Sequence, residues 1–154
     1  MSMSFVRGGY QIAIVAGCLL LGGCQTAYQP GGSPGIMASV TVASANSDQI
    51  FDAVDHVFNR AGFKLVDVRP NLRVFERPGS QMDNMKYGDW DGTTVMMRAK
   101  VSMVSQGGTV TLECRVVAVR NYGQTLESEN AVWGGYRKEY QSLMDQVRDY
   151  LAVH

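Results

Sequence analysis

Apolar and polar positions follow two periods along the chain, and the switches between them mark its elements. From Ala38 the run "ASVTVAS" alternates every second residue and is rich in β-branched side chains, which predicts a first strand. "NSDQIFDAVDHVFNRAGF" then takes up the helical period. Ile50, Phe51, Val54, Val57, Phe58 and Ala61 fall on one face, with Asp52, Asp55, His56 and Asn59 largely off it. Asn46, with Gln49 three residues later, predicts the start of this helix. Gly62 predicts its left-handed stop, with Phe58 and Phe63 placed to touch across it.

Two short strands, "FKLVDV" and "LRVFER", flank a turn at Pro70-Asn71. Beyond residues 77–92 a long strand is predicted over 94–105, with Val95, Met97, Ala99, Val101 and Met103 facing one way and Met96, Arg98, Lys100 and Ser102 the other. Gly107-Gly108 suits a type I′ turn into a partner strand over 109–121. There Cys114 shares the phase of Val110, Leu112, Val116 and Ala118 and is expected to point inward, while Arg98, Lys100, Glu113 and Arg115 are expected to meet water. Over 132–153, Val132, Tyr136, Tyr140, Leu143, Met144, Val147 and Leu151 form one stripe, a second amphipathic helix weakened near Gly134-Gly135. The order β-α-β-β-β-β-α is an α+β pattern. Its natural solution is an antiparallel sheet of about five strands with both helices on one face. The pattern has a loose likeness to helix-grip ligand-binding domains, which wrap a curved sheet around a C-terminal helix, although this chain offers fewer strands.

The first 37 residues follow a different grammar. Arg7 precedes the apolar run "IAIVAGCLLLGG" over 12–23, which has the length of a signal-peptide core and falls short of the roughly 20 residues a spanning helix needs. No A-x-A pattern closes it. Residues 21–24, "LGGC", resemble the lipobox of bacterial lipoproteins, in which a branched apolar residue and two small ones precede an acylated cysteine. The resemblance implies that the Cys24 thiol receives a diacylglyceryl group, that residues 1–23 are removed, and that the mature protein is anchored in the bilayer through Cys24. Gln25, a residue other than Asp after the cysteine, implies the outer membrane, with the domain facing the periplasm. Each buried CH₂ of the acyl chains contributes about 0.8 kcal/mol, and more than one chain makes such anchoring stable. Residues 25–37, "QTAYQPGGSPGIM", lack charge and apolar period and read as a tether. The expected organisation is therefore a leader over 1–23, lipidated cysteine and tether over 24–37, and one α+β domain over 38–154.

Composition narrows the function classes. A chain of 154 residues with 45% apolar side chains supports one core. Its 14 basic residues balance 14 acidic ones and are mixed along the sequence, without the clustered cations that phosphate recognition requires, so nucleic acid is not an expected partner. Of three cysteines, the lipobox resemblance implies that Cys18 leaves with the leader and that Cys24 is capped, which would leave Cys114 unable to close an internal disulfide. A buried, inert thiol is the expectation for it.

Candidate chemistry is sparse. His56 and Asp52 have the spacing of a helical metal pair, yet one His and one exposed carboxylate make an incomplete site, and a solvated helix face is the simpler reading. Asp89, Asp91 and Gly92 echo part of a calcium loop, but Tyr87 stands where the first ligand belongs and Arg98 where the bidentate Glu belongs. Met82, Met85, Met96 and Met97 invite a thioether copper site, against which Met97 belongs to the inward phase. Neither H-E-x-x-H nor C-x-x-C is present. No catalytic residue, metal or cofactor is expected, and the chain reads as a non-enzyme.

Two functional readings follow. The first is a membrane-tethered interaction or structural module that contacts another envelope protein. The second is a small-ligand or lipid-binding module with an apolar cavity between the sheet and the C-terminal helix. For the first, the 16 residues 77–92 stand out, because structureless connections beyond roughly 12 to 15 residues are functional or disordered. Met82, Met85, Tyr87 and Trp90 sit there among charged residues and are the candidate partner-binding side chains. Alternatively, Tyr87 and Trp90 fold back to cover the end of the sheet, since large aromatics are more often packed than displayed.

Overall fold

Helix α1 (Ser47–Arg60) ends as its sequence dictates. The left-handed Gly62 (φ 84°) lets Phe63 N–H reach the carbonyl of Phe58 at 3.0 Å and Gly62 N–H that of Asn59 at 3.0 Å. This closure brings the Phe58 and Phe63 rings edge to face at 5.5 Å. At the other end the Asn46 side chain accepts from Asp48 N–H at 3.2 Å. The computed structural model describes residues 35–42, 46–88, 92 and 94–153.

The remaining elements are β1 (Ile36–Val42), β2 (Lys64–Arg69), β3 (Leu72–Pro78), α2 (Gln81–Tyr87), β4 (Met96–Gln106), β5 (Thr109–Arg120), β6 (Ser128–Ala131) and α3 (Arg137–Val153), the last preceded by a 3₁₀ turn over Gly134–Tyr136. All strand pairings are antiparallel. The sheet runs β1-β5-β4-β3-β2, and β6 shares with β1 the same edge of β5. Gly107 and Gly108 both take positive φ between β4 and β5, the requirement of a type I′ hairpin. That turn sets the register Gln106↔Thr109, so Met97, Ala99 and Val101 lie on the same face as Leu112, Cys114, Val116 and Ala118. Onto this apolar face pack α1 and α3, burying Ile50, Val54, Phe58, Tyr140, Met144 and Val147 against the sheet. The Phe58 ring stacks on Phe75 of β3 at 4.8 Å. Two arginines of β3 border this core from the same side: Arg73 lies over the Phe51 ring at 4.0 Å and Arg77 over Phe63 at 4.6 Å.

The α+β class, the antiparallel sheet and the strand order expected from the alternation are those observed, with four corrections. Residues 77–92 are not a structureless connection, because α2 occupies their centre. A sixth strand, β6, had no counterpart in the pattern, for "SENA" carries no strand propensity of its own. The C-terminal helix begins at Arg137 and not at Val132. Trp133 is extended, and the Gly134-Gly135 pair, poor in helix propensity, gives only a 3₁₀ turn. Lastly, Ile36 and Met37, assigned to the tether, belong to β1, where a register shift between Ile36 and Ala38 breaks the alternation and buries Met37 beside Ala38.

Because Phe58 touches both Phe63 and Phe75 and is fully buried, Phe58→Ala should cost about 3–5 kcal/mol, whereas Asp52→Ala on the exposed face should cost about 0.5 kcal/mol or less. Urea unfolding midpoints of the two variants test this, and coincident midpoints would contradict the packing.

Candidate functional site

Helix α2 is short and is built from its start. Ser80 Oγ accepts from Asp83 N–H at 3.2 Å, and the Asp83 carboxylate accepts from Ser80 N–H at 2.7 Å and from Ser80 Oγ–H at 2.8 Å, a reciprocal capping box. The other carboxylate oxygen accepts the hydroxyl of Tyr136, in the 3₁₀ turn before α3. Asp83 is only 2% exposed, so burial alone would raise its pKa. The bonds from Tyr136 and from the Ser80 N–H and hydroxyl, helped by the Arg77 charge, outweigh burial and hold the carboxyl below the usual range. Tyr136 responds in the opposite sense, pushed up by burial and by the Asp83 carboxylate that its proton serves.

Further ties fix the same unit to the sheet. The Asn84 side chain accepts from Val95 N–H at 2.9 Å, and Gly79 N–H donates to Val95 O at 2.8 Å. Gly79 approaches so closely that a Cβ there would lie 2.7 Å from Val95 Cγ2 and 3.0 Å from Val95 O. Tyr87 is buried, its hydroxyl accepts from Trp133 N–H at 3.0 Å, and its carbonyl accepts from the Arg120 guanidinium. Helix α2, the 3₁₀ turn and the end of β5 are thus one braced assembly.

On its outer side this assembly displays apolar side chains. Met82 is 55% exposed, Met85 77% and Trp133 80%. Of the four residues singled out from sequence, Met82 and Met85 stand on the exposed face of α2, Tyr87 is turned inward as a strut, and Trp90 lies outside the described residues, as does Cys24. Trp133 escaped the sequence reading. Its signal was its place off the apolar stripe, directly before Gly134-Gly135.

The opposite face of the sheet holds a cleft of about 500 Å³ lined by Val66, Val74, Glu76, Arg98, Tyr122 and Glu129 among others. Its floor is an ion-pair network. Arg98 Nε reaches buried Glu76 at 2.6 Å, Nη1 reaches Glu129 at 2.6 Å and Nη2 reaches Glu127 at 3.0 Å, while Lys100 Nζ meets Glu129 at 2.6 Å. Burial would lower the Arg98 pKa, but its three carboxylate partners raise it above the ordinary arginine value. The charges are consumed by one another. The expectation that Arg98 simply meets water is corrected in this respect: it ties β6 and the connection before it to the sheet.

Other candidate groups are apart or inert. Burial pushes the Cys114 thiol up to about 12, which removes the thiolate that reactivity needs. His56 is exposed, with its ring 4.8 Å from Tyr150. Met96 and Met97 point to opposite faces of β4, so the four methionines do not converge on one copper site. The letters of a nucleophile elbow, G-x-S-x-G, occur at residues 31–35; the elbow requires a strand before its serine and a helix after it, and here β1 follows. Among the described residues, no three His, Cys, Asp or Glu side chains group as metal ligands. No protein-family model matches the chain, and no curated protein shows significant sequence similarity to it.

Asp83→Asn should lower stability by about 2–3 kcal/mol near neutral pH, since it weakens bonds to a buried charged acceptor. A carboxyl held below its unfolded pKa contributes fully above that pKa, about 3.9, and loses the contribution as pH falls through the folded value. Thermal melts of the wild type and variant should therefore converge on acidification below about pH 4. A gap that widens there would contradict the assignment.

Proposed function

We propose that this protein is a membrane-anchored envelope lipoprotein that acts as a non-catalytic interaction module. Acyl chains on Cys24 hold it to the bilayer, and the end formed by α2 and Trp133 makes its contact. The observation that carries this reading is the display of Met82, Met85 and Trp133 on a braced scaffold. Methionine and tryptophan are enriched where proteins make contacts, and here they stand exposed on one hydrogen-bonded unit. Immobilising them in advance reduces the ordering cost of contact. The lipobox-like residues 21–24 support the anchor, and no helix among the described residues is long and apolar enough to cross a membrane.

One observation favours the second reading, a ligand held between the sheet and α3. The Tyr140 hydroxyl is buried in that layer without a hydrogen-bond partner among the described residues, and burial raises its pKa. A bound polar group would satisfy it. Against it stands the packing already in that layer, where Phe58, Phe75, Tyr140, Met144 and Val147 are fully buried.

Cell fractionation with intact mass measurement separates these readings. Wild-type protein is expected in the membrane fraction with an acyl mass on Cys24, and Cys24→Ser without it. A photo-crosslinking side chain at position 85 is expected to give adducts, with protein or with lipid according to what covers this end, that the same probe at exposed position 146 does not. Equal labelling at the two positions, or wild type lacking acyl mass, would overturn the proposal. A non-covalent ligand retained in the native mass spectrum would favour the second reading.

A further inference from the structure

Two strand ends meet on one edge of β5. Strand β1 enters at Ile36, opposite Arg115, and β6 leaves at Ala131, opposite Val117. The two positions are separated along β5 by roughly 7 Å. Whatever precedes Gly35 therefore joins the domain beside the point from which the chain departs for Trp133. Helix α2 belongs to the same end, through the bond from Trp133 N–H to the Tyr87 hydroxyl. So does the start of α3, where Gln141 bonds to both Ser39 N–H and Ser39 O in β1.

Among the described residues of α2, the 3₁₀ turn and the start of α3, the exposed charges outside ion pairs are basic. Lys86, Arg137 and Lys138 are exposed, and Lys86 Nζ sits 5.4 Å above the Tyr136 ring, beside the apolar side chains. The acidic residues described on the same elements are engaged. Asp83 is buried in its hydrogen bonds, and Glu139 is paired with Arg77 at 2.5 Å. Asp89 and Asp91 follow α2 outside the described residues. Exposed tryptophan and methionine bordered by lysine and arginine make a surface suited to the bilayer interface: the indole settles at headgroup level, and the cations meet anionic phosphates.

We infer that the end of the domain carrying Met82, Met85 and Trp133, with Lys86, Arg137 and Lys138, docks onto the surface of an anionic lipid bilayer. This rests on the reading of Cys24 as the anchor in one respect, reach. The 11 residues 25–35 span at most about 40 Å when fully extended, and they enter the domain at this end. An anchor so placed keeps this surface within reach of the lipid.

The test uses the full chain purified from membranes and reconstituted with vesicles of phosphatidylethanolamine and phosphatidylglycerol carrying brominated acyl chains. Trp90→Phe leaves Trp133 as the only tryptophan of the two in the sequence. Most Trp133 emission is expected to be lost to bromine quenching. Quenching should weaken at high salt and disappear when Lys86, Arg137 and Lys138 are changed to Glu, with the thermal midpoint unchanged. Protein that floats with the vesicles but keeps its Trp133 emission overturns the inference, and adducts from position 85 to another protein would then name the alternative occupant. Protein that does not float overturns it too. Intact mass of the same sample keeps the two ideas apart: quenching without an acyl group sustains docking and rejects the Cys24 anchor, whereas an acylated, unquenched protein does the reverse.

Discussion

A helix as short as α2 does not hold itself together in water, because nucleation costs more than a few hydrogen bonds return. What holds it is the Asp83 carboxylate, which closes the capping box with Ser80 on one oxygen and takes the Tyr136 hydroxyl on the other. The second bond links a helix following β3 to a turn preceding α3, 53 residues later in the chain. Gly79 extends the β3–β4 ladder to Val95, and Asn84 and Tyr87 add ties to Val95, Trp133 and Arg120 that presuppose the helix Asp83 stabilises. The exposed face of Met82 and Met85 is a consequence. With Asp83 and Tyr87 turned inward, the remaining side chains of a short helix have nowhere else to go.

The two faces of the sheet divide the work. The face under α1 and α3 is apolar and carries the stability of the domain, with Phe58 and Phe75 at its centre. The other face is polar and is organised by Arg98, whose three carboxylate partners come from β3, from β6 and from the connection before it. Leaving any of these carboxylates without its cation would strand a charge, and Glu76 is the most buried of them. The network therefore serves to hold β6 in place, and β6 in turn delivers Val132 to the core and Trp133 to the surface.

Legibility followed the range of the interactions. The stripe of α1, its Gly62 stop and the β4–β5 hairpin rest on local rules, and the sequence carries them openly. Strand β6 is specified by pairing with β5 and by the Arg98 and Lys100 ion pairs, none of which leaves a mark in "SENA". Helix α2 did have a signal. Ser80 and Asp83 stand at the spacing of a capping box, but Gly79 before them and the Gly and Asp residues after hid it inside a segment that reads as a loop. For the candidate site, Met82 and Met85 were found for the right reason, side chains that enrich contacts. Tyr87 shares their composition but not their direction: of the two alternatives, display or folding back, it takes the second, buried and bonded to Trp133.

That α2 is a fixed platform and not a loop is the claim on which the site depends, and amide hydrogen exchange tests it most directly. The amides of Met85, Lys86, Tyr87 and Gly88 should exchange far more slowly than that of Thr125 in the exposed β5–β6 connection, and the protection should fall in Asp83→Asn while α1 keeps its own. Exchange at Thr125-like rates in the wild type, or protection indifferent to Asp83, would contradict the account.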